Sequence, residues 1–107
     1  MKLITAIINK DDANTVCKNL SEAGFFFTRL STQGGFLLSG NTTVLCGVED
    51  EKVDRVIGII AKYSSKRKEL VPSSGGYGFG LTNAYPAEVT VGGATVFVTN
   101  VERFEKL

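Results

Sequence analysis

A chain of 107 residues, 43% hydrophobic and 21% charged, has the composition of one globular domain with one core, which argues against a disordered or a membrane-embedded protein. Its net charge of +1 provides no field of one sign to gather polynucleotides or anionic lipid. The absence of histidine removes Ser/His and Cys/His nucleophilic pairs and the commonest zinc ligand, and with them most hydrolase mechanisms.

In chain order, residues 2–9 form an apolar run that is shorter than a signal h-region and far shorter than a membrane span, and it predicts a central strand covered on both faces. Asp11 and Asp12 are suited to cap a helix whose apolar positions Ala13, Val16, Cys17, Leu20 and Ala23 keep helical spacing, with Gly24 to end it. Phe25 to Ser31, rich in aromatic and β-branched residues, predicts a second strand, and Thr42 to Val48 a third. Glu49, Asp50 and Glu51 then open a second helix. The apolar positions Ala13, Val16, Cys17 and Leu20 recur forty positions later as Val53, Val56, Ile57 and Ile60, so two strand-helix units stand in tandem.

Helices that each cover a sheet face, joined by right-handed crossovers, pack most simply as a ferredoxin-like βαββαβ sandwich of α+β class. Its open sheet face invites oligomerisation. Glu69 to Val71 reads as a short strand, and the glycine-rich stretch Pro72 to Pro86 as a long flexible loop. Alternation in Glu88 to Val91 and Ala94 to Val98 around Gly92-Gly93 predicts a C-terminal β-hairpin with a primed turn. The amphipathic tail, Val101 to Leu107, is expected to pack as a final short turn. Cys17 and Cys46 sit among apolar neighbours at no metal-ligand spacing, which fits reduced core thiols in a cytoplasmic protein better than a redox pair. No metal site and no cofactor are expected.

Three segments carry candidate chemistry. Gly75-Gly76-Tyr77-Gly78-Phe79-Gly80 matches neither a Walker A nor a GxGxxG pattern, so a loop with two docking aromatics is the better reading. Lys66, Arg67 and Lys68 are read as a solvated helix end that complements the helix dipole, ahead of a phosphate contact. Gly34-Gly35-Phe36-Leu37, followed by Ser39-Gly40-Asn41-Thr42-Thr43, is more informative. Paired glycines let backbone N–H groups converge on an anion, Phe36 and Leu37 offer a surface for a base, and Asn41 both donates and accepts. A glycine-built hairpin with Asn41 satisfying its own turn fits the same residues equally well.

These segments, with Gly47-Val48-Glu49-Asp50 and Val91-Gly92-Gly93-Ala94-Thr95-Val96-Phe97-Val98, closely resemble the PII-like cyclic di-AMP receptor family in one register over nearly the whole chain. The resemblance implies a single PII-like domain over residues 1–107, a ferredoxin-like subunit in a homotrimer, and one cyclic dinucleotide in each cleft between neighbours. It implies signalling to a downstream protein and not turnover. On that pattern Thr28 and Asn41 contact an adenine nucleotide, Gly47 leaves room for it, and Gly35, Phe36 and Leu37 line the pocket and meet phosphate through the backbone. Asn41 and Gly47 share one face of the third strand.

The sequence departs from the family in three places. Phe26 stands where an arginine commonly meets ligand phosphate, and losing that charge-assisted contact, worth roughly 1.5–3 kcal/mol, implies an affinity lower by about tenfold to a hundredfold. Arg29 is a candidate substitute, although it points to the opposite strand face from Phe26. The tail Phe104-Glu105-Lys106-Leu107 lacks the polar residue with which many members close the pocket, and the 72–86 loop differs from the usual version. The leading reading is a cyclic di-AMP sensor. A second is a diverged PII-like adaptor that binds another adenine nucleotide or only a protein partner, with Phe26 as its best support. A small phosphatase of the same fold ranks last, because Asp11 and Asp12 follow the first strand and would repel a phosphate.

Overall fold

The computed structural model describes residues 1–34, 40–71 and 87–107. The described elements are β1 (Lys2–Asn9), α1 (Lys10–Glu22), β2 (Thr28–Thr32), β3 (Asn41–Val48), a 3-10 turn (Asp50–Lys52), α2 (Val53–Ser64), β4 (Arg67–Val71), β5 (Ala87–Val91) and β6 (Ala94–Asn100). Four strands form one antiparallel sheet in the order β2-β3-β1-β6, and β4 and β5 form a separate two-stranded ribbon.

Alternation along β1 decides which face the helices cover. Ile4, Ala6 and Ile8 are fully buried and pack with Val44, Cys46 and Val48 of β3 against Val16, Cys17 and Leu20 of α1 and Val56 and Ile60 of α2. Leu3, Thr5 and Ile7, which point the other way, are only partly buried. Among the described residues β1 is therefore covered by helices on one face and not on both, because the two helices lie side by side on the same face of the sheet. The forty-residue repeat survives at its inner positions. Val56 and Ile60 are buried as Val16 and Leu20 are, while Val53 and Ile57 are only partly buried.

The residue that caps α1 is Asn9, whose side-chain oxygen accepts the Asp11 backbone N–H at 2.8 Å, whereas Asp11 and Asp12 lie in the first turn. The reason is position: Asn9 is the last strand residue, and its extended backbone leaves its side chain free to turn back on the first orphan donors. At the other end Gly24, at φ +90°, terminates the helix as expected. Gly24 N–H bonds to Ser21 O and Phe25 N–H to Leu20 O, both at 3.0 Å, which is the Schellman pattern with its apolar contact between Phe25 and Leu20. That contact draws Phe25 into the core, so β2 begins at Thr28 and not at Phe25.

The predicted hairpin is not formed. Gly92 and Gly93 do adopt positive φ, +82° and +87°, but the turn transfers the chain between sheets: β5 pairs with β4, and β6 pairs with β1 from Ile8↔Ala94 to Lys2↔Asn100. A β5-β6 pairing would leave the backbone groups on that edge of β1 without partners in the middle of the core sheet. The short strand expected at Glu69 to Val71 is the end of β4. The tail forms no regular turn; Val101 N–H bonds to Met1 O at 3.2 Å, and Phe104 and Leu107 are exposed. The 72–86 loop lies outside the described residues.

Candidate functional site

The face of the sheet opposite the two helices carries the candidate site. Register places Thr28, Leu30 and Thr32 of β2 opposite Leu45, Thr43 and Asn41 of β3, and Leu3, Thr5 and Ile7 of β1 opposite Gly47, Leu45 and Thr43. Phe97 lies opposite Thr5 on the same face. The result is a surface of aliphatic and threonine side chains that no described helix covers, on which Leu30 and Phe97 are almost half exposed.

Asn41 opens β3 directly after Gly40, whose φ is +92° and whose carbonyl accepts the Lys10 N–H at 3.3 Å. It sits opposite Asn9 on one side and Thr32 on the other, and only 7% of it is exposed. The Thr32 hydroxyl donates to Asn41 Oδ1 and lies 2.9 Å from the Thr43 hydroxyl. Since Thr32 has one proton and gives it to Asn41, the Thr43 hydroxyl donates to Thr32. This chain consumes the acceptor of Asn41 and leaves its Nδ2 donors without a bond to any described residue. Buried donors are normally paired, so the carboxamide is set to meet an acceptor from outside these residues. Thr32 was not singled out in the sequence and Thr43 only as part of its segment, although their period-2 spacing with Thr28 and Asn41 places all four on one face.

Thr28 and Gly47 belong to the other end of β3. Thr28 is exposed opposite Leu45, next to Gly47 on that face. Phe26 precedes them; its carbonyl accepts the Cys46 thiol at 3.3 Å and its ring is 92% exposed. The structure thus brings Phe26, Thr28 and Gly47 together. Asn41 stands four residues along β3 from Leu45, about 13 Å at the rise of a strand. Gly47 is exposed, its φ is not positive, and an added Cβ would meet nothing closer than Met1 Sδ at 4.0 Å. No contact within the chain explains a glycine there. Gly35, Phe36 and Leu37 lie outside the described residues.

Arg29 does not replace the absent arginine. It points to the helix face, where its Nη1 donates to Asn14 Oδ1 of α1 at 3.0 Å. The basic run is also engaged: Arg67 grips the Asp12 carboxylate and Lys68 pairs with Glu88 at 3.7 Å, so it is more than a solvated helix end. Both cysteines are free and buried, and desolvation pushes their thiols above the ordinary value, which keeps them protonated. Among the described residues no group of three or more Cys, Asp or Glu side chains could hold a metal ion, and no helix is long and apolar enough to cross a membrane.

A crystal structure of a functionally unknown protein from Pediococcus pentosaceus ATCC 25745 is similar to this chain, with a TM-score of 0.78 and 42% identity, covering 99% of this chain and 96% of that one. The family model described as cyclic-di-AMP receptor matches residues 1–107. That match runs from β1 through the tail and takes in both ends of the candidate face, and with it the chain belongs to the PII-like cyclic-di-AMP receptor family.

Proposed function

We propose that this protein is a cyclic di-AMP sensor of the cytoplasm, one PII-like domain that assembles as a homotrimer and binds a cyclic dinucleotide in each cleft between neighbouring copies. The observation that carries the reading is the Asn41 carboxamide, buried, held by Thr32, with Nδ2 donors that bond to no described residue, on the sheet face opposite the two helices. Those donors suit a ring nitrogen of adenine or a ribose oxygen.

Membership in a receptor family supports the ligand class, and the sheet order β2-β3-β1-β6 under two helices supports a ferredoxin-like subunit. The geometry supports an intersubunit cleft: a flat face is no pocket by itself, and a second copy laid against it makes one. The distance between Asn41 and the Thr28–Gly47 end suits a ligand built from two nucleotide halves. Gly35, Phe36 and Leu37 complete the pocket in this reading, and occupancy is passed to the segment 72–86, where a downstream protein reads it. The protein turns nothing over.

One observation favours a second reading, an adaptor that has exchanged cyclic di-AMP for another adenine nucleotide or for protein contacts alone. Phe26 offers no charge, and Arg29 is committed to Asn14. Polarisation of a fluorescent cyclic di-AMP separates the two. Displacement by unlabelled cyclic di-AMP but not by ATP, AMP or cyclic di-GMP at a hundredfold excess supports the sensor; displacement by ATP or AMP at similar concentration supports the nucleotide adaptor, and no polarisation change at any protein concentration supports the protein-only adaptor.

A further inference from the structure

The β4-β5 ribbon hydrogen-bonds to no other described strand, and an isolated two-stranded ribbon is marginal in water, so its position depends on what holds its base. The base is held by an ion pair. Arg67, the first residue of β4, places Nη2 2.8 Å from Asp12 Oδ1 and Nη1 3.2 Å from Asp12 Oδ2, gripping both oxygens of a carboxylate that is buried in the first turn of α1. Nη1 also donates to Ser65 O at 3.2 Å.

The chain leaves the ribbon through the same point. A Cβ on Gly92 would lie 2.5 Å from Arg67 Nη1 and 2.7 Å from Ser65 O, and one on Gly93 would lie 2.8 Å from Lys66 Cγ. Both glycines have positive φ, and Gly93 N–H donates to Ser64 O. Two adjacent glycines therefore let the exit strand cross directly over the guanidinium and the entry strand. This junction lies close in sequence to the candidate site. Asp12 follows Asn9 by less than a helical turn, Asn9 faces Asn41 across the β1-β3 register, and Lys10 N–H bonds to the carbonyl of Gly40, the residue before Asn41.

The geometry points to a latch. The Asp12–Arg67 pair fixes the ribbon on the core, and through the first turn of α1 it ties the ribbon's orientation to occupancy of the site at Asn41. The ligand half rests on the receptor reading given above. With the latch closed, the first turn of α1 is held and the Gly40-Asn41 corner stays ordered for binding; with it open, that order must be recovered on binding and affinity falls. Linkage makes the effect reciprocal, so bound ligand holds the ribbon in place.

The test pairs Asp12→Asn/Arg67→Met, which strands no buried charge, with Arg67→Lys, which keeps the charge but loses the two-pronged grip. Thermal melting establishes that each is folded; hydrogen exchange of the amides of residues 67–71 and 87–91 and calorimetry with cyclic di-AMP then give the result. The latch predicts ribbon exchange at least tenfold faster in the double variant without ligand, cyclic di-AMP affinity at least threefold weaker, and ligand protection of the ribbon in the wild type that the variant loses. Arg67→Lys shifts the same quantities in the same direction by less, and decides the matter if the double variant does not fold. Unchanged ribbon exchange overturns the latch. Faster exchange with unchanged affinity overturns its coupling to the site while the receptor reading stands. A wild type that binds no cyclic di-AMP overturns that reading and the coupling together, a failure seen without any variant.

Discussion

Gly47 is the penultimate residue of β3, where a glycine costs conformational entropy and offers no side chain to pack. The nearest atom to an added Cβ is at ordinary contact distance, so Gly47→Val should leave folding intact, or stabilise it by up to about 1 kcal/mol from strand propensity, while lowering cyclic di-AMP affinity at least tenfold. Melting and polarisation together check this, and a variant that binds normally would show that the ligand does not lie against Gly47. Phe26 gives the opposite experiment. Its ring is almost wholly exposed, so Phe26→Arg disturbs no packing and should tighten binding by roughly tenfold to a hundredfold if phosphate lies near it. Unchanged affinity would place the phosphates elsewhere.

At the scale of elements, α1 is held by its inner stripe. Leu20 is fully buried and also accepts the Phe25 N–H that closes the helix, so Leu20→Ala should cost about 2–5 kcal/mol in urea denaturation, well above the cost of an exposed position such as Phe104. A loss below about 1 kcal/mol would mean that the core collapses around the gap. Periodicity made this stripe legible: Ala13, Val16, Cys17 and Leu20 are buried as their spacing requires, and β1 and β3 fall within a residue of where their composition puts them. The boundaries were harder because they depend on contacts between elements. Phe25 looks like strand but is the apolar end of a helix cap, and β5 and β6 look like a hairpin but each answers to an older strand edge. Of the candidate face, the shared side of Asn41 and Gly47 was legible from parity, and Thr28 was named through resemblance alone. The Thr32–Thr43 relay that fixes Asn41 was not legible, because it runs across two strands whose register the sequence does not state.

For the whole molecule, the open sheet face is the outstanding feature. Leu3, Ile7, Leu30, Leu45 and Phe97 share it, and a face of that composition is normally covered. If copies of the chain cover one another there, light scattering of the purified protein gives three times the mass of one chain, and Leu45→Arg, which sets a charge at the centre of the face, gives a monomer. A wild-type monomer at working concentration would remove the intersubunit cleft. The same face holds Asn41, and its neighbour across the register, Asn9, is followed within a helical turn by Asp12 of the ion pair that anchors the ribbon.

Titration calorimetry of cyclic di-AMP into the wild type and into Asn41→Ala decides whether the buried carboxamide serves the ligand. Saturable binding at one ligand per chain is expected in the wild type, weakened at least tenfold in Asn41→Ala with melting little changed. The contrary results are equally plain: no heat in the wild type, or equal affinity in the two proteins, would mean that the buried carboxamide on the open face does not serve a cyclic dinucleotide.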